Sequence, residues 1–146
     1  MEIYHPKYII GHSVGGMTAL YSHYKYPDSP VEKIVGIGAP SNLSAFMQRY
    51  QRTLKLNQKV MQGLDDYLKE KFDFNTAGFS LDRFVPDLHQ QGLLIHDVLD
   101  TITPFQDAAN IHNNWPGSKI VKTEGLGHSM HQDLVNDHIL KFLKDS

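Results

Sequence analysis

The stretch Gly11-His12-Ser13-Val14-Gly15-Gly16 constrains this chain more than any other. It sets a serine between two glycines, with a third glycine behind them. In front of it runs Tyr8-Ile9-Ile10, short, apolar and rich in β-branched residues, which predicts a buried strand. Behind it, Met17-Thr18-Ala19-Leu20-Tyr21 predicts helix. A strand that turns sharply at a serine and enters a helix lifts the hydroxyl clear of the backbone. It also sets that hydroxyl at a helix N-terminus, where developing negative charge is favoured. Gly11 and Gly15 are expected to be small for steric reasons, because side chains there would crowd the strand and helix on either side. The alternative is a glycine-rich turn with a spectator serine.

Two later segments bear on that choice. The run from Leu94 through His96, Asp97 and Asp100 to Pro104 is an apolar strand ending in a loop with two aspartates. Gly125-Leu126-Gly127-His128 follows another apolar strand. Serine, aspartate and histidine thus come in that order, each just after a strand. With G-H-S-x-G-G, I-H-D-x-x-D and G-L-G-H all present, the chain resembles the α/β-hydrolase superfamily, and more narrowly its bacterial serine hydrolases. The three motifs span nearly the whole chain.

The resemblance implies a nucleophile elbow with Ser13 as nucleophile and His128 as general base and acid. Asp100 is the expected orienting carboxylate, since the second aspartate of H-D-x-x-D usually fills that role in the family. Asp97 is expected to serve its own turn through backbone amides. His12 beside the serine is expected to pack, and His96 to brace the aspartate loop. The Val14 N–H is the expected first oxyanion donor. In this fold the second donor comes from a loop after an earlier strand, so the chain resembles the C-terminal half of the fold, from the elbow strand onward.

Strands alternating with helices make the class α/β with a parallel sheet of about four strands. Strands are expected at residues 8–10, 33–38, 91–96 and 118–123, and helices at 14–24, 104–115 and 134–144. The whole chain, 1–146, reads as one partial α/β-hydrolase domain. Residues 43–88 exceed what one crossover needs, with helices expected at 43–55 and 57–71 and a short piece at 81–88. Ser41 or Ser44 is expected to cap the first of them. Phe46, Met47, Tyr50, Met61 and several phenylalanines are more than one sheet face uses. That surplus suggests a helical cap lying over the serine, against a plain crossover with surface helices.

The chain has 146 residues, a net charge of −2 and no cysteine. This is enough for one ordinary core, with no basic footprint for nucleic acid, no run long enough for a membrane span and no thiol chemistry. Residues 1–7 are polar and carry no signal-peptide pattern, which points to the cytoplasm. Of nine histidines, His89, His112 and His138 are expected at the surface. The pair His128-x-x-His131 lacks a carboxylate or third ligand beside it, so no metal and no cofactor is expected. The expected function is cleavage of a small ester, thioester or amide through an acyl-enzyme. Acyl transfer to another acceptor uses the same residues, and a non-catalytic binding module is the reading from another class. The strand at 8–10 lacks an encoded neighbour on one side. The expected partner there is the N-terminal half of a parent protein or, second, another copy of the chain.

Overall fold

The structure, a computed structural model, describes residues 4–145. One parallel sheet is formed by β1 (Tyr8–His12), β2 (Lys33–Ile37), β3 (Gln91–Asp97) and β4 (Ser118–Thr123), in the spatial order β1-β2-β3-β4. Tyr8 lies beside Lys33, Lys33 beside Gln91, and Gly92 beside Ser118. Parallel neighbours need crossovers. These are α1 (Val14–Lys25), a long insertion carrying α2 (Leu43–Leu54) and α3 (Gln58–Phe72), and α4 (Phe105–Asn114). The last element is α5 (Asp133–Lys144).

The chain divides into two compact units. Residues 1–41 with 81–146 form one, and Asn42–Ser80 the other. In the first, the near-continuous apolar runs of β2 and β3 are explained by burial on both faces. Val35, Leu93 and Ile95 pack with Met130 and with Val135, Ile139 and Phe142 of α5. By strand alternation, Ile34 and Leu94 face the other way, toward the side where α1 and α4 contact the strands. Leu20, Ala108 and Ile111 are buried on those helices. Full burial of a side chain such as Leu20 or Ile111 contributes roughly 1.5–3 kcal/mol. Trp115 lies directly over Gly92, where a Cβ would stand 2.3 Å from the indole ring.

Residues 81–88 belong to this first unit and form two 3-10 turns, Leu81–Arg83 and Val85–Asp87, that bury Leu81 and Val85. Pro86 sits within the second turn and cannot continue an α-helix. Lys33, in β2, is also buried. Its Nζ donates to the carbonyls of Phe142 at 2.8 Å and Leu143 at 3.3 Å, and to that of Asp145. A cation is thereby placed at the negative end of α5. Among the described residues, β1 pairs with β2 alone, and Ile10 is 50% exposed.

The unit Asn42–Ser80 holds α2 and α3. Each begins at an asparagine whose side chain accepts from a helical amide: Asn42 from Ala45 at 2.9 Å, and Asn57 from Val60 at 3.0 Å. The cap of α2 is therefore Asn42, one residue after Ser41 and two before Ser44, and not either serine. Its extended backbone and short amide arm reach the third helical N–H, as N-caps require. Both helices end on a left-handed residue, Lys55 and Asp73. Thr76 Oγ1 donates to Asp65 at 2.7 Å, and a bridge between Asn42 and Ser80 closes the unit. Phe46, Met61 and Phe79 are buried, while Tyr50, Tyr67 and Phe72 are exposed.

Candidate active site

The carboxyl ends of β1, β3 and β4 supply the candidate residues. β1 runs two residues further than its apolar run, through Gly11 and His12. At Ser13 the backbone turns to φ 55° and ψ −124°. Such a conformation costs a side-chain-bearing residue about 1–3 kcal/mol. It is held by the Ser13 N–H donating to Ile37 at 2.7 Å, and by Gly16 N–H donating back to Ser13 at 3.0 Å.

The glycines divide their work differently from expectation. A Cβ on Gly11 would stand 2.5 Å from backbone atoms of Gly15 and Gly16. One on Gly16 would meet the Ala39 methyl at 2.9 Å and the Gly11 carbonyl at 3.0 Å. At Gly15 there is open space within 4 Å. The steric role assigned to Gly15 is thus corrected: Gly11 and Gly16 carry it, because Gly16 is the helical residue that faces the β2 end.

Ser13 Oγ lies 3.0 Å from His128 Nε2, and His128 Nδ1 lies 2.7 Å from Asp100 Oδ2. The carboxylate can only accept, so Nδ1 carries the proton and Nε2 is left to accept from the serine hydroxyl. Asp100 has a fully buried side chain, and His128 is mostly buried. Asp100 Oδ1 accepts from the amides of Ile102 at 2.8 Å and Thr103 at 3.0 Å. Burial pushes its carboxyl up. The hydrogen bonds from His128, from the Thr103 and Ile102 amides and from the Thr103 hydroxyl outweigh burial and hold it below the usual range.

Asp97 has different partners. Oδ1 accepts from Leu99 at 2.9 Å, within its own turn. Oδ2 accepts from the Thr123 hydroxyl and the Leu126 amide, both at 2.8 Å. It therefore fastens the Gly-Leu-Gly-His turn as well as its own. Burial raises its carboxyl too, but the bonds from Leu126, Thr123, Leu99 and Gly125 hold it below the ordinary value. In that turn Gly125 and Gly127 take φ values of 81° and 67°, which suit glycine.

Val14 opens α1, and helix geometry gives its N–H no intrahelical acceptor. His12 Nε2 donates to the His128 carbonyl at 2.8 Å, so His12 does more than pack. His96 Nε2 donates to the Thr103 carbonyl at 2.8 Å, across the loop it precedes. His131 is exposed, with its ring 6.0 Å from that of His12. Among the described residues, no three metal-ligating side chains converge.

His89 is exposed, but His112 and His138 are half-buried, and His112 Nδ1 bonds Ser118 Oγ at 2.8 Å. The exposed position expected for these two is corrected, since each lies on the flank of a packed helix. Sequence reasoning missed His23, buried with Nδ1 2.7 Å from the Ala19 carbonyl. It also missed Thr103, whose spacing from Asp100 and place before Pro104 were the available signals.

A family model described as alpha/beta hydrolase fold matches residues 3–120. A search of curated proteins found no match. Among solved structures, the chain is similar to the esterase domain of a Rhodothermus marinus protein, with a TM-score of 0.65 and 20% identity. That match covers 94% of this chain and 57% of the other. An alpha/beta hydrolase enzyme from the sediment metagenome of the Mar Chica lagoon, Morocco, gives 0.71 and 18%, covering 98% and 63%. A bromoperoxidase from Bacillus anthracis gives 0.67 and 22%, covering 94% and 67%. The chain spans less than two thirds of the length of the first two.

Proposed function

Because this chain belongs to the alpha/beta hydrolase fold family, we propose that it is a serine hydrolase acting on a carboxylic ester, thioester or amide. The observation that carries this reading is the unbroken hydrogen-bond run Asp100–His128–Ser13, at 2.7 and 3.0 Å. Ser13 Oγ attacks the acyl carbon while His128 Nε2 takes its proton. Asp100 holds the imidazole tautomer and stabilises the imidazolium. The Val14 N–H donates to the oxyanion. His128 then returns the proton to the leaving alcohol, thiol or amine, and the acyl group stays on Ser13. Water repeats the cycle and releases the acid; another acceptor in its place would make the reaction an acyl transfer.

Two further parts belong to the same reading. One source supplies the second oxyanion donor and a neighbour for the open edge of β1: an N-terminal portion of a parent protein, or failing that another copy of the chain. We further infer that the helical stretch 43–88 supplies a cap that selects substrates, on the strength of its surplus of aromatic and methionine residues. Tyr50→Ala would then change the preferred acyl-chain length.

A fluorophosphonate probe tests the central claim. Labelling of one residue, abolished by Ser13→Ala and slowed by His128→Ala, is the expected result. An unlabelled, folded chain would instead leave a non-catalytic binding module as the better account.

A further inference from the structure

Three strand ends meet at one hydroxyl. Thr103 Oγ1 is fully buried and lies 3.0 Å from Asp100 Oδ2, 3.0 Å from the Gly38 carbonyl and 3.2 Å from His128 Nδ1. Gly38 follows β2, Asp100 and Thr103 follow β3, and His128 follows β4. We propose that Thr103 is a positioning residue, whose hydroxyl fixes the carboxylate oxygen of Asp100 that faces His128. The inference rests on the reading of Asp100 and His128 as the working pair.

A hydroxyl has one proton to give. Of its two acceptors here, the carboxylate is charged, and bonds to ionised acceptors are roughly twice as strong as neutral ones. The proton therefore goes to Asp100 Oδ2. The two carboxylate oxygens are then served alike. Oδ1 takes two backbone amides, and Oδ2 takes the Thr103 hydroxyl and the His128 ring. Without the hydroxyl, the one hydrogen bond left to Oδ2 would come from the His128 ring, whose charge changes as Nε2 gains and loses a proton during turnover.

Thr103 is itself held in place. His96 Nε2 donates to its carbonyl, which leaves His96 Nδ1 buried without a partner. The other ionisable groups around Asp100 are accounted for. His96 Nε2 is 3.5 Å from Oδ2. The ring of His12 is 4.9 Å from that of His128. Asp97 is turned toward the Thr123 and Leu126 side, and Asp107 lies buried in the first turn of α4.

The test compares Thr103→Val, Thr103→Ala and Thr103→Ser in the full chain. Asp100 is followed by carboxyl carbon NMR against pH, a measurement that needs no turnover. Loss of the hydroxyl is expected to move the Asp100 titration up by about one pH unit, and Thr103→Ser to restore it. Where an ester is turned over, kcat should fall about tenfold with KM unchanged in the two deletions. An unmoved titration in either folded deletion variant would overturn the proposal, as would a serine variant that behaves like valine. Fluorophosphonate labelling of Ser13 separately decides the hydrolase reading, so the two failures are told apart.

Discussion

The His12 imidazole is joined to the backbone carbonyl of His128, 2.8 Å away, across 116 residues of sequence. The residue before the proposed nucleophile thus tethers the loop of the proposed base. A neutral hydrogen bond of this kind is worth about 1 kcal/mol. His12→Ala is therefore expected to lower ester turnover several-fold while leaving Ser13 open to a fluorophosphonate. A variant with unchanged kcat would show that the loop needs no such tether.

The two aspartates of one loop should separate cleanly by assay. Asp100→Asn removes the acceptor that fixes the imidazole tautomer, and turnover should fall by about 10⁴-fold with the fold intact. Asp97→Asn weakens acceptors used by Leu99, Thr123 and Leu126. Its main effect should be a loss of about 1–3 kcal/mol in denaturant unfolding. Reversed outcomes would mean that the orienting carboxylate is Asp97.

Acid should act through the same pair. Both carboxyls are held below their ordinary 3.8 in the folded chain. A group depressed on folding contributes stability that is present above its unfolded value and is lost as pH falls through the folded one. Unfolding free energy is expected to be flat with respect to these groups above about pH 5 and to decline below 3.8. Asp97→Asn should make that decline shallower. A decline unaltered by the substitution would place the acid sensitivity elsewhere.

The three glycines of the elbow predict three different outcomes for alanine. Gly11→Ala and Gly16→Ala meet the atoms at 2.5 and 2.9 Å and should unfold or strongly destabilise the chain. Gly15→Ala meets open space on the helix and should gain up to about 1 kcal/mol from helix propensity. Thermal melting of the three variants is the check, and an unstable Gly15→Ala would contradict it.

The bare side of β1 is proposed to recruit a partner strand, as unpaired edges do. Light scattering on the chain alone should then report association, relieved by Ile10→Lys. A monomer at all concentrations would count against the open edge as a binding surface.

Much of this arrangement is legible in residue order. A serine between glycines, an aspartate pair and a histidine after glycine must each sit at a strand end to meet, and the alternating pattern places those ends on one side. Thr103 was only faintly legible, because one of two threonines on a short loop acquires its role only when the end of β2 arrives beside it. The exchange of roles between Gly15 and Gly16 has the same origin, since it depends on Ala39, which the sequence places far away. Lys33 read as a strand residue, yet its ammonium serves a helix 109 residues later. The cap of α2 fell on Asn42 for a local reason: neighbouring serines and asparagine compete for one position.

The left-handed backbone at Ser13 has a consequence for any effort to make the chain sturdier. Glycine accepts that conformation freely, so Ser13→Gly would relieve strain the native residue bears. A library screened for heat resistance alone would accordingly favour discarding the hydroxyl at this position. With Ser13 as the proposed nucleophile, selection for endurance and selection for turnover would pull against each other at this single residue, and only a screen that scores both would keep the serine.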